Sequence, residues 1–353
     1  MRVFWWIAAV FALVACSSKA SIFEKTMELT SHWDSGIRGN NSAGLSGIYN
    51  DTLYIWGENS NSYLMNFYKP DGTLVKTITL PKGKGPGQIV FAYNGGIFND
   101  TISIFDSGFN RITHYDIDGK YLDETTLDDK IAGTLPRFII VDDKIYLHGT
   151  FDVFLAIIDK KSGTVLKKID YKVKPDLSKN EIPVSGGYLT YDRFSKQLLL
   201  GYYSSPCTIE RYDLDLNKIK ATTFAFKDSY EPLRWSKFSD GSGMTQIGHY
   251  IIGSIAYDQS YLYIRSPFGF KKTNDGNEAL PSNNFVNVFD RETHAHVGVV
   301  KDPTLNGTGS YQILGIINNQ IFAVWDGDIA LLENKLGQKI VPLGEYILVY
   351  TIK

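Results

Sequence analysis

Few side chains in this sequence stand at a spacing that chemistry demands. His294-Ala295-His296 sets two imidazoles two residues apart, which on a strand would put both on one face as two ligands of a metal site. No third histidine or carboxylate follows at a matching spacing, and no metal is expected. Asp213-Leu214-Asp215-Leu216-Asn217 begins like a calcium loop, but Lys218 replaces the required glycine and Phe224 the bidentate acid. Lys82-Gly83-Lys84-Gly85-Pro86-Gly87-Gln88 has the glycine content of a phosphate cradle, yet its third glycine comes one residue early and a strand pattern follows. There is no Walker sequence and no Gly-x-Ser-x-Gly elbow, so no cofactor is expected. Cys207 has no neighbouring His or Asn and reads as a small hydrophobe. The remaining candidates are collective: Trp56, Asp106, His148, Tyr202, Arg265 and Trp325, aromatics with a few charged groups, which suit a polar organic ligand. The alternative for each of them is packing at the end of a strand.

What gathers those six is a repeat. A short apolar strand, a tight polar turn and a second strand recur at Ile48–Trp56, Ile97–Phe105 and Ile140–His148. Weaker copies follow at Leu198–Leu200, Tyr261–Ile264 and Gln320–Val324. Aligned on Leu53, Ile102, Ile145, Leu198, Leu262 and Ile321, the units are spaced by 49, 43, 53, 64 and 59 residues. Each continues into a third strand, and Asp71-Gly72 and Asp118-Gly119 then mark hairpins into a fourth. Four short antiparallel strands every ~50 residues predict an all-β fold, a six-bladed β-propeller. The last unit lacks a fourth strand, and Phe23–Thr30 is expected to supply it, closing the ring. The alternative is a pair of β-sandwiches. Asp328–Leu336, stopped by Gly337, is the one helix expected.

Labelling the strands of a unit A to D from axis to rim, the A–B and C–D turns share one face. The B–C loops and the D–A crossovers share the other. The irregular segments Lys82–Gln88, Lys172–Val184, Lys227–Gly248 and Ser266–Asn284 therefore fall together, where long loops on a rigid scaffold usually bind. The six candidates end their B strands on that same face.

The N-terminus carries an address. Arg2 precedes an apolar run from Val3 to Ala15, 13 residues against the roughly 20 that span a bilayer, so residues 1–15 read as a signal peptide. Leu13-Val14-Ala15-Cys16 resembles the bacterial lipobox, which implies lipidation of Cys16; an ordinary signal peptide or a buried strand is the alternative. Residues 16–22 then form a tether and 23–353 a single propeller. With Cys16 lipidated, Cys207 has no disulfide partner. The formal charge of −2 offers no field for nucleic acid. The 22 Tyr, 20 Phe and 32 Gly fit half-buried strands joined by turns.

Gly83-Lys84-Gly85-Pro86-Gly87-Gln88, following the rim strand that ends near Leu80, resembles the Gly-x-Gly-Pro-Gly-Glu/Gln crossover of six-bladed, TolB-like propeller lipoproteins of Bacteroidetes. Ile104-Phe105-Asp106-Ser107-Gly108-Phe109-Asn110-Arg111-Ile112 resembles the same family's link between strands B and C. The motifs cover Leu80–Gly119; units four to six depart from them. The resemblance implies an envelope protein, lipid-anchored at the outer membrane, with no catalytic residues to carry over; Ser17–Ser21 lacks the acidic patch of surface-exposed lipoproteins, so the protein is expected to face the periplasm. Asp51-Thr52-Leu53 and Asp100-Thr101-Ile102 resemble the O-glycosylation sequon of exported Bacteroidetes proteins, at Thr52 and Thr101; plain turn chemistry is the alternative. The functional expectation is a binding or scaffolding module for a glycan, a peptide or an envelope protein. The alternatives are a hydrolase or lyase acting on a small polar substrate in the axial funnel, and a purely structural partner in an envelope complex.

Overall fold

The computed structural model describes residues 23–37, 45–132, 137–149, 153–171, 181–183, 186–203, 207–224, 231–237, 244–250, 252, 254–265, 268–273, 276–280, 285–301, 311–325, 329–341 and 343–353. Cys16, the signal peptide and the tether lie outside the described residues.

Strand β1 (Phe23–Asp34) is followed by four-stranded antiparallel sheets in chain order. The first comprises β2 (Gly47–Tyr49), β3 (Thr52–Glu58), β4 (Ser62–Tyr68) and β5 (Leu74–Pro81). The second comprises β6 (Ala92–Phe98), β7 (Thr101–Asp106), β8 (Arg111–Asp116) and β9 (Tyr121–Thr126). After a one-turn helix, α1 (Asp129–Ala132), the third comprises β10 (Arg137–Val141), β11 (Lys144–His148), β12 (Val153–Asp159) and β13 (Val165–Asp170). Beyond β14 (Glu181–Pro183), the fourth comprises β15 (Gly187–Asp192), β16 (Gln197–Tyr202), β17 (Cys207–Tyr212) and β18 (Lys218–Phe224). The chain continues through β19 (Arg234–Lys237), β20 (Met244–Tyr250), β21 (Ile255–Tyr257), β22 (Tyr261–Arg265), β23 (Phe268–Thr273), β24 (Gly276–Leu280), β25 (Phe285–Asp290) and β26 (His296–Lys301). It ends with β27 (Tyr311–Ile317), β28 (Gln320–Trp325), helix α2 (Ile329–Leu336) and β29 (Tyr346–Ile352). The fold is all-β with a propeller-like arrangement of blades.

Strands β21-β22-β25-β26 and β27-β28-β29 form two further meanders, and β1 joins them into one eight-stranded sheet. The N-terminal strand divides between them. Phe23–Thr26 runs parallel to β26, while Met27–Asp34 pairs antiparallel with β29. The sequence places the closing strand at Phe23–Thr30; the register moves it to Met27–Asp34, because the first four residues complete hydrogen bonds of the neighbouring rim strand instead.

The apolar strands are continuous because both faces of each sheet are covered. In β3, Leu53 and Ile55 enter one core cluster while Tyr54 and Trp56 enter the next. In β11, Ile145 and Leu147 face back towards the second sheet and Tyr146 faces the fourth. The same alternation holds for Leu198, Leu200 and Leu199 in β16, for Leu262, Ile264 and Tyr263 in β22, and for Ile321, Ala323 and Phe322 in β28. Successive side chains of a strand point to opposite faces, so every second strand feeds two clusters. The last cluster joins β3 and β4 to β27, β28 and β29, bringing the chain's end against its first sheet. The six residues on which the repeat aligns, Leu53, Ile102, Ile145, Leu198, Leu262 and Ile321, each stand second in their strand and are fully buried. Each such burial contributes about 1.5–3 kcal/mol.

The turns follow from their residues. Asn50-Asp51 and Asn99-Asp100 have positive φ at both positions, 46° and 57°, then 47° and 58°. This is the I′ geometry that matches strand twist. Gly163, at φ 71°, shows why the C–D turn selects glycine: a Cβ there would meet the Thr126 carbonyl oxygen at 2.1 Å. His294 holds the equivalent turn position at φ 62°, its N–H bonded to the Asp290 carbonyl. The two histidines therefore do not share a strand face. His294 is buried in a turn and His296 is exposed where β26 begins, because the strand starts two residues later than alternation assumes.

Three segments expected to be irregular are in part strands. β14, β19, β20, β23 and β24 come from Lys172–Val184, Lys227–Gly248 and Ser266–Asn284, and they pair as one five-stranded sheet. Three insertions from two crossovers and one B–C loop meet on one face, as the repeat requires. The expected helix appears as α2, closed by Gly337 at φ 66° with its N–H on the Glu333 carbonyl. The single turn of α1 carries no cue in the sequence strong enough to announce it.

Candidate functional site

The innermost strands β2, β6, β10, β15, β21 and β27 line a central cavity of about 290 Å³. Gly47, Gly95, Gly96 and Gly315 present backbone to it rather than side chains. A Cβ on Gly95 would lie 2.4 Å from the Ser103 carbonyl oxygen, so this stretch of β6 can approach its neighbour only as glycine. Polar groups come from Ser46, Asn94, Thr190, Tyr54, Tyr188 and Tyr257. The charged residues of the described lining are Arg137 and Arg193; no Asp, Glu or His is among its described residues.

Arg137 opens β10, half-buried, with its guanidinium 5.6 Å from the ring centroids of both Tyr188 and Tyr203. Burial opposes its charge, and Tyr203, Tyr188 and Tyr93 more than offset it, keeping the guanidinium above its usual value. Among the described residues it forms no ion pair with a carboxylate. Arg193 lies in the exposed turn after β15 and stacks 5.1 Å from Phe194.

The six sequence candidates all lie within the last three residues of their B strands, and none of them lines this cavity. Trp56 is buried and stacks on Tyr63 at 5.2 Å. His148 donates through Nδ1 to the Phe154 carbonyl at 2.6 Å, and it stands directly opposite Arg137 in the strand register. Tyr202 donates to Glu210 at 2.9 Å. Arg265 reaches the Tyr311 carbonyl at 2.9 Å and lies over the Tyr311 ring, linking β22 to β27. Trp325 is buried in the core cluster that holds β27, β28 and β29, opposite Tyr311 in the register. Thr52 and Thr101 sit partly exposed at their A–B turns, their hydroxyls donating to the Tyr49 and Asn99 carbonyls. Cys207 is fully buried, and burial pushes its thiol up, away from the reactive thiolate. Among the described residues no group of three metal-ligating side chains occurs.

Asp106 explains the crossover motif. Its carboxylate accepts from the backbone N–H of Val90 (3.1 Å), Phe91 (3.0 Å) and Gly108 (3.1 Å) and pairs with Arg111 at 3.5 Å. Arg111 donates in turn to the Gln88 carbonyl at 2.7 Å and to Glu124 at 2.8 Å. Gln88 accepts through its side chain from Gly85 at 2.9 Å. The two sequence motifs are thus one unit, in which the B–C loop of the second sheet clamps the Gly-Pro-Gly crossover that enters it.

The six candidates stand at the ends of the second strands, whereas the cavity is lined mainly by the first. Arg137 was legible as the residue paired with His148 across the β10–β11 hairpin, once the hairpin register is counted back from Asp142-Asp143.

Burial lowers His32 and, further, three more deeply buried histidines: His148 to about 4, against a smaller opposing effect of its Phe154 bond, and His114 and His294 to about 3, with Lys160 and Arg211 adding to the effect. All three are neutral in the fold. Below the ordinary value of 6.5 the unfolded chain takes up protons that the folded chain refuses, so stability falls with pH from 6.5 down through about 4. Thermal melts at pH 7, 5.5 and 4.5 are expected to show a progressive fall in Tm. An unchanged Tm over that range contradicts the burial of neutral imidazoles.

No protein-family model matches the chain, and no curated protein matches it. Solved structures do. A member of the DUF4221 family from Bacteroides vulgatus is 14% identical, with 94% of this chain and 99% of that one covered and a TM-score of 0.63. A candidate exported protein from Bacteroides fragilis is 15% identical, with 96% and 97% covered and a TM-score of 0.55. At these identities the likeness is one of fold. Among the described residues no helix is long and apolar enough to cross a membrane.

Proposed function

We propose that the protein is a six-bladed, TolB-like propeller of the cell envelope, anchored by lipid at Cys16 on the periplasmic side of the outer membrane, that binds a ligand in its central cavity. The six-blade count takes the eight-stranded sheet as two blades that share β1, which the core cluster on each side of every meander supports. The anchor rests on Leu13-Val14-Ala15-Cys16 after the apolar run. The binding role is carried by one observation: strands from all six meanders converge on a cavity furnished with two arginines and several polar side chains. A hydrolase or lyase would need convergent acid, base or nucleophile groups, and the described residues of the lining include no His, Cys, Asp or Glu. The ligand is a small polar molecule, or the exposed end of a glycan, peptide or envelope protein.

Mass spectrometry of protein purified from its native envelope tests this reading. Under native conditions the wild type is expected to retain a non-covalent adduct that Thr190→Trp, which fills the cavity from β15, loses while melting normally. Equal retention by both proteins overturns the cavity as the site. The denatured mass of the same sample reports the acyl chains expected at Cys16 and any glycan on Thr52 or Thr101.

A further inference from the structure

We propose that the central cavity selects a small hydroxylated organic acid, holding its oxyanion on Arg137 with Arg193 as a second cation. This rests on the reading of the cavity as the ligand site and names the chemistry of the ligand. In a chain with a formal charge of −2, the described lining of this space includes Arg137 and Arg193 and no carboxylate. Three buried arginines elsewhere are matched by carboxylates, while buried Arg265 takes the Tyr311 carbonyl. Arg111 pairs with Asp106 and Glu124, and Arg211 and Arg291 both pair with Asp192, at 3.3 and 2.8 Å. Arg137, half-buried at the cavity, forms no ion pair with a described carboxylate. A desolvated cation without a counter-charge is costly unless something supplies one.

The aromatic rings at 5.6 Å orient the group without neutralising it. A guanidinium within 5.6 Å of the Tyr188 and Tyr203 rings, and hydrogen-bonded to Tyr203, still has N–H donors left in the planar fork that suits a carboxylate or phosphate. The low-dielectric walls strengthen that attraction. The rest of the lining calls for hydroxyl groups on the ligand: Ser46, Asn94, Thr190 and Tyr188 offer both donors and acceptors, and Gly95, Gly96 and Gly315 let a ring approach the backbone. A space of about 290 Å³ holds a molecule the size of one sugar acid, below the usual range for larger organic ligands.

The test is calorimetric titration of the full chain with glucuronate, glucose and inorganic phosphate. Glucuronate is expected to bind at least ~10-fold more tightly than glucose, about the discrimination that one charge-assisted bond provides. Arg137→Met is expected to weaken glucuronate at least ~10-fold while leaving glucose unchanged, and Arg137→Lys to recover part of the loss by restoring charge without the fork. Arg193→Met, at an exposed turn that does not threaten folding, is expected to weaken glucuronate by a smaller factor. Phosphate binding that depends on Arg137 and exceeds glucuronate keeps the oxyanion site and assigns it to phosphate esters. Equal affinity for glucose and glucuronate, or an Arg137→Met protein that melts like wild type and binds glucuronate unchanged, overturns the anion while the cavity remains the ligand site. Failure of all three probes, with the native adduct still lost in Thr190→Trp, likewise overturns the anion and spares the cavity.

Discussion

Met27→Asp is expected to abolish cooperative folding or to cost about 5 kcal/mol, comparable to the whole stability of many domains. Met27 is fully buried where β1 leaves β26 and begins to pair with β29. It packs with Val286, Val300, Tyr350 and Ile352 from both halves of the eight-stranded sheet. A carboxylate at this position would lie among apolar side chains, and its desolvation would fall on the one strand that joins the chain's beginning to its end. Met27→Leu, close in volume and apolar, is expected to cost less than about 1.5 kcal/mol. Urea unfolding of the two variants is the measurement. A Met27→Asp midpoint within about 1 kcal/mol of wild type would show that β1 is not needed to close the fold.

The second large effect is expected at Asp106. Asp106→Ala removes the acceptor of three backbone N–H groups and one side of a buried ion pair whose side chains are 0% and 8% exposed. Stranding one member of such a pair costs about 3–5 kcal/mol. The lower end, near 3 kcal/mol, is expected because Arg111 keeps Glu124 and the Gln88 carbonyl, and because Val90 and Phe91 are exposed enough for water to reach their backbone. Adding Arg111→Met should recover part of the loss, since the stranded cation goes with it. Strict additivity of the two substitutions in a urea double-mutant cycle would break the clamp apart into independent residues. The Gly83–Gln88 crossover should become protease-sensitive in the single variant before the rest of the chain.

Much of the architecture was legible in the residues. The six alignment positions, the Asn-Asp and Asp-Gly turns, the single longer helix and the need for an N-terminal closing strand all follow from local rules: alternation, turn chemistry and capping. The placement of the long inserts on one face was legible too, because strand direction around a repeat leaves no alternative. The strands within those inserts were not. Glu181–Pro183 and Arg234–Lys237 are short and polar, and they pair only with segments many residues away. The same limit applied to His294 and His296. Alternation predicts a shared face, but one left-handed residue in the turn delays the strand and sends the two rings apart.

The candidate site divides in the same way. Composition and spacing determined that no metal, phosphate or nucleophile motif is written in the chain, and that aromatic and charged residues recur at the B-strand ends. Tertiary structure decided what those residues do. Asp106 became a clamp on a crossover 15 to 16 residues upstream, and Arg265 a link between β22 and β27. Only the tertiary arrangement could show that Arg137 and Arg193 come to one cavity whose described lining holds no acid. Sequence spacing reports neighbours along a strand or across a hairpin. It carries no measure of the space on which separate sheets converge, and that is where the structure brings Arg137 and Arg193 together.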